Sequence, residues 1–165
     1  MNQSNQSNPM PIHFSLLKRL FVSAAAVGFL LAGATQAHAQ AAPDATLAAA
    51  AKEPGAKVTA SGLVIRMLKE GNGAQPTATN TVKVHYKGTF PDGKVFDSSY
   101  QRGEPIEFPL NRVIKCWTEG VALMKTGGAA KLTCPSAIAY GERGAGGAIP
   151  PNATLVFEVE LLGVR

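Results

Sequence analysis

Near the end of the chain, apolar and polar side chains alternate. Leu155, Phe157, Val159 and Leu161 fall on one side of an extended segment, Glu158 and Glu160 on the other. This period of two marks a strand with one buried face. Val82, Val84 and Tyr86 alternate in the same way with Lys83, His85 and Lys87, so His85 is expected to be solvated on the polar face. Residues 62–70 read as a strand stopped by Gly71-Asn72-Gly73, and 89–96 as a hairpin turning at Pro91-Asp92-Gly93. Residues 106–110 form a short strand and 130–134 another alternating run. A strong helical period occurs once: Val113, Ile114, Trp117, Val121 and Met124 share a face, with Gly127-Gly128 expected to end the helix. Strands around one short apolar helix predict an α+β fold, an antiparallel sheet packed on a helix.

The N-terminal pattern is of another kind. Lys18-Arg19 precede an apolar run over residues 20–34, and Ala37-His38-Ala39 follows. This order predicts a secretory signal peptide over 1–39, cleaved near Ala39/Gln40. The run, about 15 residues, is shorter than the roughly 20 that span a bilayer as a helix. The expectation is export to the periplasm with no stable membrane anchor. Residues 40–60 are Ala-rich, lack an apolar stripe and are broken by Pro43 and Pro54-Gly55. They predict a flexible leader with a short helix over 45–52. The folded domain is expected over 61–165. The leader is too short for a dimerisation domain of long helices, so a monomer is expected.

Charge changes the picture mainly by exclusion. The 165 residues carry a net charge of +5. Without Lys18 and Arg19, 14 basic and 11 acidic residues remain, scattered rather than interleaved with aromatics. Nucleic acid is therefore excluded as a partner. No metal-ligand cluster and no catalytic triad stand out, so no cofactor and no metal are expected. In an oxidising compartment, Cys116 and Cys134 either pair or remain as two buried thiols; the disulfide is the expectation.

One stretch remains. In residues 139–151, Gly141, Gly144, Gly146 and Gly147 follow Tyr140 and lead into Ile149-Pro150-Pro151. Glycines permit backbone that a Cβ forbids, and the prolines fix φ before the strand begins. Such a loop shapes a binding surface on a rigid scaffold.

Five segments in order now bear on function: Val84-His85-Tyr86-Lys87-Gly88; Asp92-Gly93-Lys94-Val95-Phe96-Asp97-Ser98-Ser99; Val113-Ile114-x-x-Trp117-x-Glu119-Gly120; Ala139-Tyr140-Gly141; and Ile149-Pro150-Pro151-x-Ala153-Thr154-Leu155-Val156-Phe157. Together they resemble the FKBP-type peptidyl-prolyl cis-trans isomerases, over about 61–165. The resemblance implies a bent antiparallel sheet of five to six strands wrapped around one short helix, with an apolar pocket between them. It assigns catalysis to Tyr86, Phe96, Asp97, Tyr140 and Phe157. Substrate binding falls to Arg102, Ile106, Phe108, Val113, Ile114, Trp117 and Ile149. It implies prolyl polypeptides as partners, and macrolides of the tacrolimus and rapamycin type as inhibitors.

These residue types suit that chemistry. An X–Pro bond isomerises against a barrier of about 20 kcal/mol. Twisting the amide removes its resonance and part of its dipole. A dry apolar pocket therefore favours the twisted state, without nucleophile or metal. The resemblance implies Trp117 as floor, Tyr86, Phe96 and Phe157 as walls, and the Tyr140 hydroxyl and Ile149 N–H as clamps on substrate carbonyls. Asp97 faces the twisting amide or orients Tyr86 and Arg102. On pattern alone, Trp117 and Phe157 read as plain core and Asp97 as a turn residue; the register of the motifs turns them into a site. The alternative is a non-catalytic chaperone or interaction module that binds proline segments. Departures from the family pattern are Ile106 at a position often aromatic, Ala145 and Ala148 in the loop, a shortened Asn111-Arg112-Val113 segment, and Lys115-Cys116 where Gly is common in the second position.

Overall fold

The computed structural model describes residues 44–165. The expected signal peptide and its cleavage point lie outside the described residues. Seven strands form one sheet: β1 (Ala56–Val58), β2 (Val64–Lys69), β3 (Thr81–Thr89), β4 (Val95–Ser98), β5 (Ile106–Pro109), β6 (Ala129–Cys134) and β7 (Leu155–Val164). Their order is β1-β2-β6-β7-β3-β4, with β5 also on β3, and every pairing is antiparallel. Among the described residues three short α-helices accompany them, α1 (Ala45–Ala51), α2 (Ser99–Arg102) and α3 (Lys115–Ala122), besides single 3-10 turns such as Leu110–Arg112.

Alternation along the strands sets the core. Val82, Val84 and Tyr86 of β3 are buried with Leu155, Phe157, Val159 and Leu161 of β7 and Ala130, Leu132 and Cys134 of β6. On them lie Cys116, Trp117 and Val121 of α3, followed by Met124. The helix docks closely. An added Cβ at Gly120 would lie 2.8 Å from both methyls of Leu132. One turn earlier, Cys116 is disulfide-bonded to Cys134, with Cα atoms 5.8 Å apart. The sheet bends at register shifts beside Val84 in β3–β7, Thr89 in β3–β4 and Lys69 in β2–β6.

β3 has a divided second edge. β4 pairs with Lys87–Thr89 and β5 with Thr81–Val84, leaving Tyr86 without a strand partner on that side. Ser99, at the start of α2, supplies the missing ladder. Its hydroxyl accepts the Tyr86 N–H at 2.8 Å and donates to the Tyr86 carbonyl at 3.2 Å. Buried backbone polar groups need such partners.

Three expectations need correcting. From residue 44 onward the leader forms the expected short helix, but it is docked on the domain rather than standing free of it. Asp44 caps α1 by accepting from Thr46 N–H at 2.8 Å, and it also accepts from the Thr154 hydroxyl. Glu53 joins Lys131 at 2.6 Å and Arg66 at 2.8 Å, and β1 adds an edge strand. Small alanines let α1 approach the sheet without an apolar stripe, and β1 raises the sheet beyond six strands. The apolar helix stops at Ala122, before Gly127-Gly128, because Leu123 already caps it. Gly127 (φ 84) instead turns the chain into β6, its N–H donating to Leu161 O at 2.8 Å. Finally, His85 is half-buried: its ring stacks on Tyr100 at 4.6 Å, with Nδ1 2.9 Å from Ser99 Oγ.

Candidate functional site

Between α3 and the concave side of the sheet lies a cavity of about 510 Å³. It is lined by Tyr86, Phe96, Asp97, Ile106, Phe108, Arg112, Val113, Ile114, Trp117, Tyr140 and Phe157. β3 brings Tyr86, β4 brings Phe96 and Asp97, and β5 brings Ile106 and Phe108. The segment before α3 brings Arg112, Val113 and Ile114; α3 brings Trp117 and β7 brings Phe157. A second groove of about 610 Å³ lies elsewhere, between α1, the turn after β3, and β6 and β7, lined in part by Lys87, Glu53, Lys131 and Glu158. Its mixed polar lining and its ion pairs set it apart from the aromatic cavity.

Trp117 organises that cavity. It is only 5% exposed, and Tyr86 and Phe157 meet it edge-on at centroid distances of 5.1 and 5.3 Å. Phe108 tilts against it at 5.5 Å, and Phe96 meets Phe157 edge-on at 5.6 Å. Edge-to-face pairs add about 0.5–1.5 kcal/mol each beyond burial. The indole N–H is buried without an acceptor among the described residues, so the floor offers its apolar ring rather than a satisfied polar edge.

The polar side of the cavity is a closed triad of groups. Tyr86 donates its hydroxyl proton to Asp97 Oδ2, Arg102 Nη1 pairs with Asp97 Oδ1, and Arg102 Nη2 donates to the Tyr86 hydroxyl at 2.9 Å. Partial burial pushes the Asp97 carboxyl up, but the hydrogen bonds from Tyr86 and Arg102 and the Arg102 charge overturn this and hold it below the usual carboxylate range. Burial and the Asp97 hydrogen bond push the Tyr86 hydroxyl up. Burial, then the Asp97 charge, do the same for Tyr140. Both phenols therefore keep their protons at neutral pH. The Tyr140 side chain stands 39% exposed at the rim, and its hydroxyl has no hydrogen-bond partner among the described residues.

Eleven residues line the cavity, and all but Arg112 were singled out from the sequence for the site. Arg102 does not line it but fastens Asp97 and Tyr86. Ile149 is placed differently. It is buried, it does not line the cavity, and its N–H already donates to Ala145 O at 3.0 Å while Ala145 N–H donates to Ile149 O at 3.0 Å. This two-way bridge closes the glycine-rich loop on itself and uses the donor expected to clamp substrate. On the cavity wall, at the N-terminal end of α3, the N–H of Ile114 is without an acceptor among the described residues. Sequence reading also missed Ser99 and Arg112. The paired serines after Asp97 were the available signal for the first; nothing in the pattern marked the second.

A family model described as FKBP-type peptidyl-prolyl cis-trans isomerase matches residues 72–162. The chain is 59% identical over 119 residues to the FKBP-type peptidyl-prolyl cis-trans isomerase FkpA of Aeromonas hydrophila, covering 72% of this chain and 44% of the relative. It is 55% identical over 103 residues to FK506-binding protein 1 of Dictyostelium discoideum, covering 61% of this chain and 96% of that protein. The crystal structure of FkpA from Escherichia coli superposes with a TM-score of 0.70 at 50% identity, covering 72% of this chain and 55% of that one. The chain spans about half the length of the curated bacterial relatives it matches.

Proposed function

The chain belongs to the FKBP-type peptidyl-prolyl cis-trans isomerase family, and from that premise we propose that it accelerates X–Pro isomerisation in exported polypeptides. The observation that carries the reading is the aromatic cavity over Trp117, with its one carboxylate already occupied on both oxygens. A prolyl ring entering it loses water on the faces of Trp117, Phe96 and Phe157. The twisted amide, less dipolar than the planar one, is penalised less by that desolvation. The Ile114 N–H and the Tyr140 hydroxyl are donors without partners at the wall and rim. They hold the carbonyls flanking the reacting bond, which fixes the substrate while the amide turns. Asp97 and Arg102 act by positioning Tyr86 rather than by moving protons.

Export is supported by Lys18-Arg19, the apolar run over 20–34 and Ala37-His38-Ala39, together with the Cys116–Cys134 disulfide, a bond that persists in oxidising compartments. A macrolide of the tacrolimus type would fill the same cavity. The test is a protease-coupled assay on an X-Pro-Phe peptide, with and without that inhibitor. Inhibitable catalysis is expected. No acceleration at micromolar protein would overturn the reading in favour of proline-segment binding alone.

A further inference from the structure

Two charged side chains line the cavity, Asp97 and Arg112. Their situations differ. Asp97 is held on both oxygens by Tyr86 and Arg102, so this carboxylate and this guanidinium offset one another. Arg112 has no carboxylate within ion-pair distance and no hydrogen-bond acceptor among the described residues. It ends the 3-10 turn Leu110–Arg112 and directly precedes Val113 and Ile114. A peptide drawn against the Ile114 N–H therefore carries its flanking side chains past an uncompensated guanidinium. Exposed Lys115 adds a charge of the same sign on the far side of Ile114. Arginine stays charged at every relevant pH, and its planar fork matches a carboxylate with two parallel hydrogen bonds.

We propose that Arg112 is a specificity-determining residue, favouring polypeptides with Asp or Glu beside the proline over those with Lys or Arg there. The inference rests on the isomerase reading, since it assigns that cavity to prolyl peptides. The competing view is an ordinary solvated arginine with no influence on selection.

Matched peptides with Glu, Leu or Lys next to proline, on either side, separate these. Binding is read by chemical-shift titration of the Trp117 indole, and turnover by protease-free NMR exchange. The Glu peptide is expected to exceed the Lys peptide by about fivefold at low ionic strength, the range of one exposed ion pair gained and one repulsion avoided. Added salt should erode that ratio. Arg112→Gln should bring it near one, and Arg112→Glu should invert it. A wild-type ratio of one, or a ratio unchanged in Arg112→Glu, overturns the proposal. Absence of turnover on the Leu peptide would defeat the isomerase reading, while the binding ratio would still decide the role of Arg112.

Discussion

The hydroxyl of Tyr86 donates to Asp97, and Arg102 holds both partners from the other side, 2.9 Å from the Tyr86 oxygen. A polar network beside an apolar cavity is tolerable only when its members are satisfied. Here the carboxylate is kept ionised but turned toward its own partners.

That arrangement has a titration signature. A carboxyl whose folded pKa lies below its unfolded value adds stability above the unfolded value, about 3.9 for Asp, and loses it as pH falls through the folded value. Asp97 belongs to this class. Its contribution should therefore be intact through neutral and mildly acidic pH and vanish only in strong acid. NMR titration of the Asp97 carboxyl carbon in wild type and Tyr86→Phe tests the cause. The variant's midpoint should rise, because one charge-stabilising hydrogen bond is gone. An unmoved midpoint would show that Tyr86 does not hold the carboxylate.

Phe96 can be disturbed directly or from behind. An added Cβ at Gly88 would come within 2.6 Å of Phe96 Cζ and 3.1 Å of Phe157 Cε1. Gly88→Ala should therefore rotate the Phe96 ring out of the wall, costing about 1–3 kcal/mol as an overpacked site. Phe96→Ala opens the same wall by truncation. Both should lower kcat/KM at least about tenfold, a loss of about 1.4 kcal/mol in transition-state binding. Circular dichroism should remain that of the folded domain. Full activity in both would remove Phe96 from the site.

Much of this was readable beforehand. The alternation over Val82–Tyr86 and Leu155–Leu161 identified the buried faces because each strand has one side on the core. The site residues were legible through a register of motifs rather than singly, since an aromatic wall and an aromatic core look alike in pattern. What escaped had local or long-range causes. The short helix of the leader was expected, but its docking was not: α1 packs through alanines and one cap, so it carries no apolar stripe. Ser99 acts because β4 and β5 leave a gap on β3, a fact of topology. The role given to Ile149 failed because a two-residue bridge inside a glycine-rich loop is decided by backbone conformation, which composition does not fix.

The disulfide joins the cavity floor to the sheet. Cys116 precedes Trp117, and both cysteines are fully buried. With 18 residues of separation, the chain-entropy model assigns the bridge about 3 kcal/mol. The double variant Cys116→Ala, Cys134→Ala should melt about 10 °C lower, given typical unfolding entropies for a domain of this size. Non-reducing peptide mapping of the wild type should find the linked pair. An alkylatable, linear pair, or an unchanged melting temperature in the variant, would contradict this.

The segment read as a loose leader offers the last test, because its contacts reach the strand that follows the cavity loop. Asp44 accepts from the Thr46 N–H within α1 and from the hydroxyl of Thr154, just before β7. Burial pushes the Asp44 carboxyl up, but hydrogen bonds from Thr154 and from Thr46 outweigh it and leave the group below its ordinary range. Its stabilisation is thus present at neutral pH and lost as acid protonates it. Asp44→Ala should cost about 1 kcal/mol as a lost cap, whereas Asp44→Asn keeps the cap and should cost less. Removing residues 44–53 also breaks the Glu53 pairs with Lys131 and Arg66. Amide exchange should then quicken in β1, β2 and the start of β7. Neither α1 nor Glu53 lines the aromatic cavity, so isomerase activity should stay near wild type. Unchanged exchange in all three strands would return these residues to the status of a free leader, and a collapse of activity would mean that α1 braces the cavity loop through Thr154.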